Sequence, residues 1–293
     1  NAQDIQCISE RIAKDCSGIE ELEISVKNCQ KLKNFSISLH DLQNLQILKL
    51  QLVNCEYLKD VALGMNNLPK FKWMCIKASE CYDLQFCDFL IDSPLPLQNL
   101  DFEAAKTSLN DKFFEKCLSN MNLKMPNLKL LKFNLNCNDM VSPILDLHSL
   151  KELQKLAITI TECDKLKSPE FSFSNLTQVQ DLILTLIKCP VIQKPKLQFQ
   201  DCPELTKLTI SMSSCSIYDE GVTNMTERIV ESLPKLKNLS LLFPNSLWLE
   251  SPTIELERLE ELEEVKIDLS KCYKLYDPVI NFGERIEALK KVQ

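Results

Sequence analysis

Residues 45–58 read LQILKLQLVNCEYL. Leu48, Leu50 and Leu52 alternate with Lys49, Gln51 and Val53, and Cys55 follows. Alternation with period two is the mark of a strand with one buried face. The same phrase, apolar-x-x-apolar-x-apolar-x-apolar, begins at Ile19, Leu45, Phe71, Leu97, Leu128, Leu153, Val179, Leu205, Leu236 and Leu262. The steps between copies are 26, 26, 26, 31, 25, 26, 26, 31 and 26 residues. All forty defining positions are apolar in a chain that is 45% apolar, so chance does not explain the match. A fixed period in the twenties implies a solenoid whose turns bury their apolar faces only by stacking on their neighbours. Stacked turns would pair these strands into one parallel sheet.

Small polar residues follow each strand. They are Cys29, Cys55, Cys81, Cys163, Cys189, Cys215 and Cys272, with Thr107, Asn138 (beside Cys137) and Ser246 in the other copies. The chain turns a corner there and leaves peptide groups without ladder partners inside the coil. Unpaired buried peptide groups are costly, and a thiol, hydroxyl or amide at the corner offsets that cost.

The returning half of a 26-residue copy reads like SPEFSFSNL (168–176) or SPTIELERL (251–259). Phe171 and Phe173, and Ile254 and Leu256, again alternate, which predicts short extended segments on the convex side. The two 31-residue copies differ. SLNDKFFEKCLSNM (108–121) and YDEGVTNMTERIVESL (218–233) carry helical spacing, with Asn110 and Asp219 as the expected N-caps.

The phrases LQILKLQLVNCEYL (45–58), LQKLAITITECDKL (153–166) and LTKLTISMSSCSI (205–217) resemble the leucine-rich repeat superfamily, over roughly residues 19–282. The usual repeat places its Asn or Cys two residues earlier, and the longer form is similar to one in protist intracellular proteins. The resemblance implies an α/β solenoid: a horseshoe with a parallel concave sheet, mostly extended convex segments and two convex helices. The expected plan is an N-terminal helical cap over 1–18 (Ile5, Ile8, Ile12, Cys16), a solenoid of about ten turns over 19–281, and a C-terminal cap helix over 282–293 (Ile286, Leu289, Val292). Such caps would shield the sheet edges.

The formal net charge is −7, from 34 basic and 41 acidic side chains. No basic stripe exists to neutralise phosphates, so nucleic acid is not an expected partner. No run reaches the ~18 apolar residues of a membrane span. Neighbouring corner cysteines would stand about 5 Å apart, one strand spacing and within disulfide reach, so the cytoplasm or another reducing intracellular compartment is expected. Four Asn-x-Ser/Thr sequons, at Asn34, Asn175, Asn224 and Asn238, argue the other way.

Catalytic constellations are not evident. His40 and His148 are the two histidines, and neither has a carboxylate or thiol at triad spacing. There is no C-x-x-C, and the four glycines are far apart, so neither a zinc knuckle nor a phosphate loop is expected. The chain reads as a non-enzyme without cofactor or metal.

A rigid sheet face suits recognition of another macromolecule. Trp73 is the expected anchor, beside Ile47, with Lys49, Cys75 and Lys77 around it. Ile183, Ile187 and Leu242, with Thr159 and Thr185, form the second expected contact set. The expected function is a protein-binding scaffold, a structural or adaptor subunit of a larger intracellular hetero-complex; the resemblance to protist repeats points to a cytoskeletal or ciliary one. The alternatives are a substrate-recognition arm of a ubiquitin ligase and an enzyme-regulating inhibitor.

Overall fold

The computed structural model describes residues 18–192, 194–284 and 289–292. The chain divides into two compact units, residues 1–140 and 141–293. In the first, a parallel sheet runs through β1 (Glu21–Lys27), β2 (Ile47–Val53), β3 (Trp73–Ser79), β4 (Asn99–Asn110) and β5 (Leu130–Asp139) in sequence order. In the second, β6 (Lys155–Thr161), β7 (Asp181–Ile187), β8 (Lys207–Ser213), β9 (Asn238–Leu242), β10 (Glu264–Asp268) and β11 (Lys291–Val292) do the same. Neighbouring strands are one repeat apart, as Leu182↔Leu208 and Ile47↔Trp73 show.

The alternation of the sequence becomes the alternation of burial. Leu48, Leu50 and Leu52 are at most 1% exposed, while Lys49, Gln51 and Val53 between them are half-buried. Fully burying one such side chain contributes about 1.5–3 kcal/mol. Of the forty repeat positions only Ile19, Ile24, Val26, Ile267 and Leu269 are not buried, all of them in the first and last copies. Among the described residues β1 is paired on one side only, and β10 is paired on its outer side only at Glu264 and Val265, so Ile24, Val26, Ile267 and Leu269 have less cover than the inner coils.

The corners are built from two devices. The first, present in every copy except the one with Cys137, is a left-handed residue. Asn28, Asn54, Glu80, Lys106, Glu162, Lys188, Ser214, Asn245 and Lys271 have φ of 53–59°. The amides of Asn28, Asn54, Glu80, Glu162, Lys188, Ser214 and Asn245 donate to the next coil, as Asn54 N does to Ser79 O at 2.9 Å. The second device is the small polar residue that follows. Cys81 Sγ donates to Leu52 O one coil back (3.7 Å) and to Ser79 O (3.5 Å); Cys215 Sγ donates to Leu186 O and Ser213 O (both 3.6 Å). Ser246 Oγ reaches Met212 O at 3.3 Å. The corner residues thus satisfy the carbonyls that the turn strips of ladder partners. In one copy the buried rung is Cys137, bonded to Thr107 Oγ1 at 3.2 Å, and not Asn138, which is exposed. Register shifts in the β4–β5 pair move the rung by one residue.

The return side is extended, as expected, in parallel sets: Asn34–Ser38, Asp60–Gly64 and Phe86–Leu90 in the first unit; Ile144–Asp146, Glu170–Ser172 and Lys196–Gln198, then Thr253–Glu255 and Val279–Asn281, in the second. The long repeats carry α1 (Asp111–Lys124) and α2 (Asp219–Ser232). Asn110 caps α1, its side chain accepting from Lys112 N at 3.0 Å. Phe113 and Phe114 of α1 pack on Phe102 and Phe133 of the sheet, with ring centroids 5.2–6.1 Å apart. Asp219 does not cap α2. Tyr218 occupies the N-cap, and the Asp219 carboxylate accepts from Glu250 N and Ser251 N (both 3.0 Å), tying the helix to the following coil.

The expected N-terminal cap helix lies outside the described residues. Of the expected C-terminal helix, 285–288 and 293 lie outside them too. Lys291 and Val292, which are described, form β11 instead, pairing with Glu264 and Val265.

Candidate functional site

The parallel ladder sets side chains on the outward face in straight rows. In the first unit one row runs Glu21, Ile47, Trp73, Asn99, Leu130, and the next runs Glu23, Lys49, Cys75, Asp101, Lys132. Ile47, Lys49, Trp73, Cys75 and Lys77 therefore meet on two adjacent strands. Trp73 is half-buried, and Lys49 Nζ stands 5.5 Å from its ring centroid. Lys49 also pairs with Glu21, and Lys77 with Glu103 at 3.2 Å. These carboxylates raise both lysines, chiefly through side-chain hydrogen bonds. Burial, with Asp101 adding to it, pushes the Cys75 thiol up, so Cys75 is a poor nucleophile.

In the second unit the rows are Ala157, Ile183, Thr209, Ser240, Lys266 and Thr159, Thr185, Ser211, Leu242, Asp268. Ile183 and Leu242 fall in different rows, two strands apart, with Thr209 and Ser211 on the strand between. The three apolar residues therefore do not join into one patch. Ala157, Thr159, Ile183, Thr185, Thr209 and Ser211 instead make a neutral, half-buried platform. At the start of these strands Lys155, Asp181, Lys207, Asn238 and Glu264 form a charged border, where Lys207 and Asp181 approach to 3.6 Å.

The residues that sequence reasoning missed sit at the corner of the second unit. Trp248 is 43% exposed, packs at a tilt against Tyr218 with ring centroids 5.7 Å apart, and carries Lys274 Nζ 4.2 Å above its ring. Trp248 stands two places after the rung Ser246, where the apolar pattern makes no demand. Tyr57, Tyr82 and Tyr273 occupy the same stretch of other copies and are all largely exposed. Aromatics recurring just past the rung were the signal available.

The coil that repeats through both units has one inward strand, a left-handed residue, a buried thiol or hydroxyl rung and an extended return. Its fold is the leucine-rich repeat solenoid. Among solved structures the chain is similar to an internalin from Listeria monocytogenes, at 14% identity over 100% of this chain and 94% of that one, with a TM-score of 0.31. No protein-family model and no curated protein matches the chain.

Within these leucine-rich repeat units each histidine has a polar partner. His40 is half-buried, its Nδ1 accepts from Asn66 N at 3.2 Å, and its ring lies against Gly64. His148 is exposed and pairs with Asp146 at 3.0 Å. Burial raises two of the rung thiols, Cys81 to about 11 and Cys137 to about 12. Among the described residues no three His, Cys, Asp or Glu side chains gather as metal ligands, and no helix is long and apolar enough to cross a membrane.

Proposed function

We propose that the chain is a non-enzymatic scaffold holding a protein partner across its outward sheet faces, as a structural or adaptor subunit of a larger intracellular assembly. The neutral platform on β6–β8 supports this reading most directly. A rigid sheet presents methyl and hydroxyl groups in register, so a partner buries them without desolvating charge and with little ordering entropy lost. Trp73, braced by Lys49, supplies an anchor on the other unit, since Trp at the centre of an interface commonly contributes 2 kcal/mol or more.

The test is recovery of the native complex from its source cells, with the retained proteins identified by mass spectrometry. Trp73→Ala and Ile183→Asp are each expected to lower partner retention by about tenfold or more, with the far-UV circular dichroism unchanged. If both variants retain the full partner set while Trp248→Ala loses it, the contact belongs to the corner aromatics and the sheet-face reading is wrong.

A further inference from the structure

The two helices interrupt their return sheets differently. Helix α1 closes against Phe86–Leu90: Lys116 pairs with Asp88, Lys124 Nζ donates to Asp92 O at 2.8 Å, and Leu95 N donates to Lys124 O at 2.8 Å. Helix α2 leans the other way. Asp219 holds Glu250 and Ser251, and Thr223 Oγ1 donates to Thr253 O at 3.3 Å, all in the following coil. Toward Lys196–Gln198 it offers the Lys194–Glu220 ion pair near its start. Between α2 and residues 194–200 lies a groove of about 870 Å³.

One wall of the groove is an open sheet edge. Lys196 N donates to Pro169 O at 3.0 Å, and Gln198 O and Gln200 O accept from Phe173 N and Asn175 N at 2.9 and 2.8 Å. Lys196, Gln198 and Gln200 thus face the strand Glu170–Ser172. By parallel-ladder alternation Leu197 and Phe199 turn their N–H and C=O groups into the groove. Among the described residues no strand lies on that side of Lys196–Gln198, which is the edge of its return sheet. The other wall is one face of α2, through Gly221, Asn224, Met225, Arg228 and Glu231. Eleven helical steps span about 16 Å and six extended ones about 20 Å, so the walls match in length. In the 26-residue coils this place is filled by an extended return segment of the chain itself.

We infer that this groove receives an extended segment of a partner protein, which adds a strand to the edge at Leu197 and Phe199. This surface is separate from the sheet face of the preceding section. Main-chain hydrogen bonds to Leu197 and Phe199 hold the segment. Leu197, Phe199 and Met225, all buried, form an apolar floor for alternate side chains of the segment. The mouth carries Lys194, Lys196 and Arg228 against Glu227 and Glu231. Arg228 has no ion-pair partner among the described residues, so an acidic residue in the segment is the complement.

The probe is a synthetic peptide of the chain's own return segment, KSPEFSFS (167–174), added to the full chain and followed by hydrogen exchange of individual amides. In the free protein, the Leu197 and Phe199 amides should exchange at least tenfold faster than those of Lys196 and Gln198, which are bonded or flanked by bonded groups. Saturating peptide should slow both by about tenfold or more, and the peptide's Ser172→Pro counterpart should not. Asn224→Trp, which fills the groove from an exposed helix position, should abolish the protection; Arg228→Glu should weaken binding of the peptide, whose Glu170 is the acidic complement, severalfold. Leu197 and Phe199 amides already slow in the free chain, or unaffected by millimolar peptide, or protected equally in Asn224→Trp, would overturn the proposal. Trp73→Ala and Ile183→Asp should leave peptide binding unchanged, so this proposal and the sheet-face reading fail separately.

Discussion

Substitutions at Ser214 put the corner geometry to a test of sign. Ser214 has φ of 56° between β8 and the rung Cys215, with its amide bonded to Pro244 O at 3.0 Å and its Oγ accepting from Asn245 Nδ2 at 2.9 Å. A residue with a Cβ loses about 1–2 kcal/mol in this conformation, and glycine does not. Glycine loses about 0.4–1 kcal/mol through the greater freedom of its unfolded chain. Ser214→Gly should therefore be more stable than Ser214→Ala by about 0.5–1 kcal/mol. Both variants lose the Asn245 hydrogen bond, so that loss cancels between them. At an ordinary extended position the order reverses, with glycine worse by roughly 0.5–1 kcal/mol. Urea unfolding followed by far-UV circular dichroism resolves the difference: at a slope of about 2 kcal/mol/M it separates the midpoints by about 0.25–0.5 M. Ser214→Val should fall below both, because a β-branched side chain is a severe misfit at positive φ. An alanine variant as stable as the glycine variant, or more so, would refute the left-handed corner.

Phe102→Ala should cost about 3–5 kcal/mol, because Phe102 is fully buried between Phe113 of α1 and Phe133 of β5; urea unfolding of the variant measures it. Among the described cysteines, Cys29 and Cys75 should label first with a thiol reagent at pH 7.5, being half-buried where the others are buried. Burial raises Cys202 to about 11, so its thiolate is scarce at that pH, and mass-spectrometric mapping should find it modified only after denaturation. The Asp268 carboxyl is held below the usual carboxylate range by hydrogen bonds from Ser270, whose N–H lies 2.9 Å away. Its contribution is present above the unfolded value and lost as pH falls through the lower folded one, and an NMR titration should place its midpoint below about 3.9.

The coil was legible because each of its demands repeats. Leu48, Leu182 and Leu208 face inward for the same reason, and one copy confirms another. The rung was legible for its chemistry, since Cys, Ser and Thr share little beyond small size and a donor hydrogen. Features set by a single contact were not. Asp219 fits the cap pattern of α2, yet Glu250 and Ser251 of the next coil take its carboxylate, and no local pattern records a partner thirty residues away. The different lean of α1 and α2 is of the same kind, set by Lys116–Asp88 in one unit and Thr223–Thr253 in the other. Ile183 and Leu242 both read as outward-facing residues, but only the register β7–β8–β9 shows that they fall in different rows. Trp248 lies where periodicity is silent, so its exposure comes from the corner and not from the repeat.

Paired cysteines on the outward face read the stacking directly. Thr185 and Ser211 are register partners on neighbouring parallel strands, about 4.8 Å apart and within the 4.4–6.8 Å that a disulfide needs. Ile183 and Ser211 are diagonal, about 8 Å apart and out of reach. Mild oxidation of the native double variant Thr185→Cys/Ser211→Cys should yield the 185–211 cross-link in peptide maps, and Ile183→Cys/Ser211→Cys should not. Cross-linking of the diagonal pair, or of neither, would contradict a stack of coils in register one repeat apart.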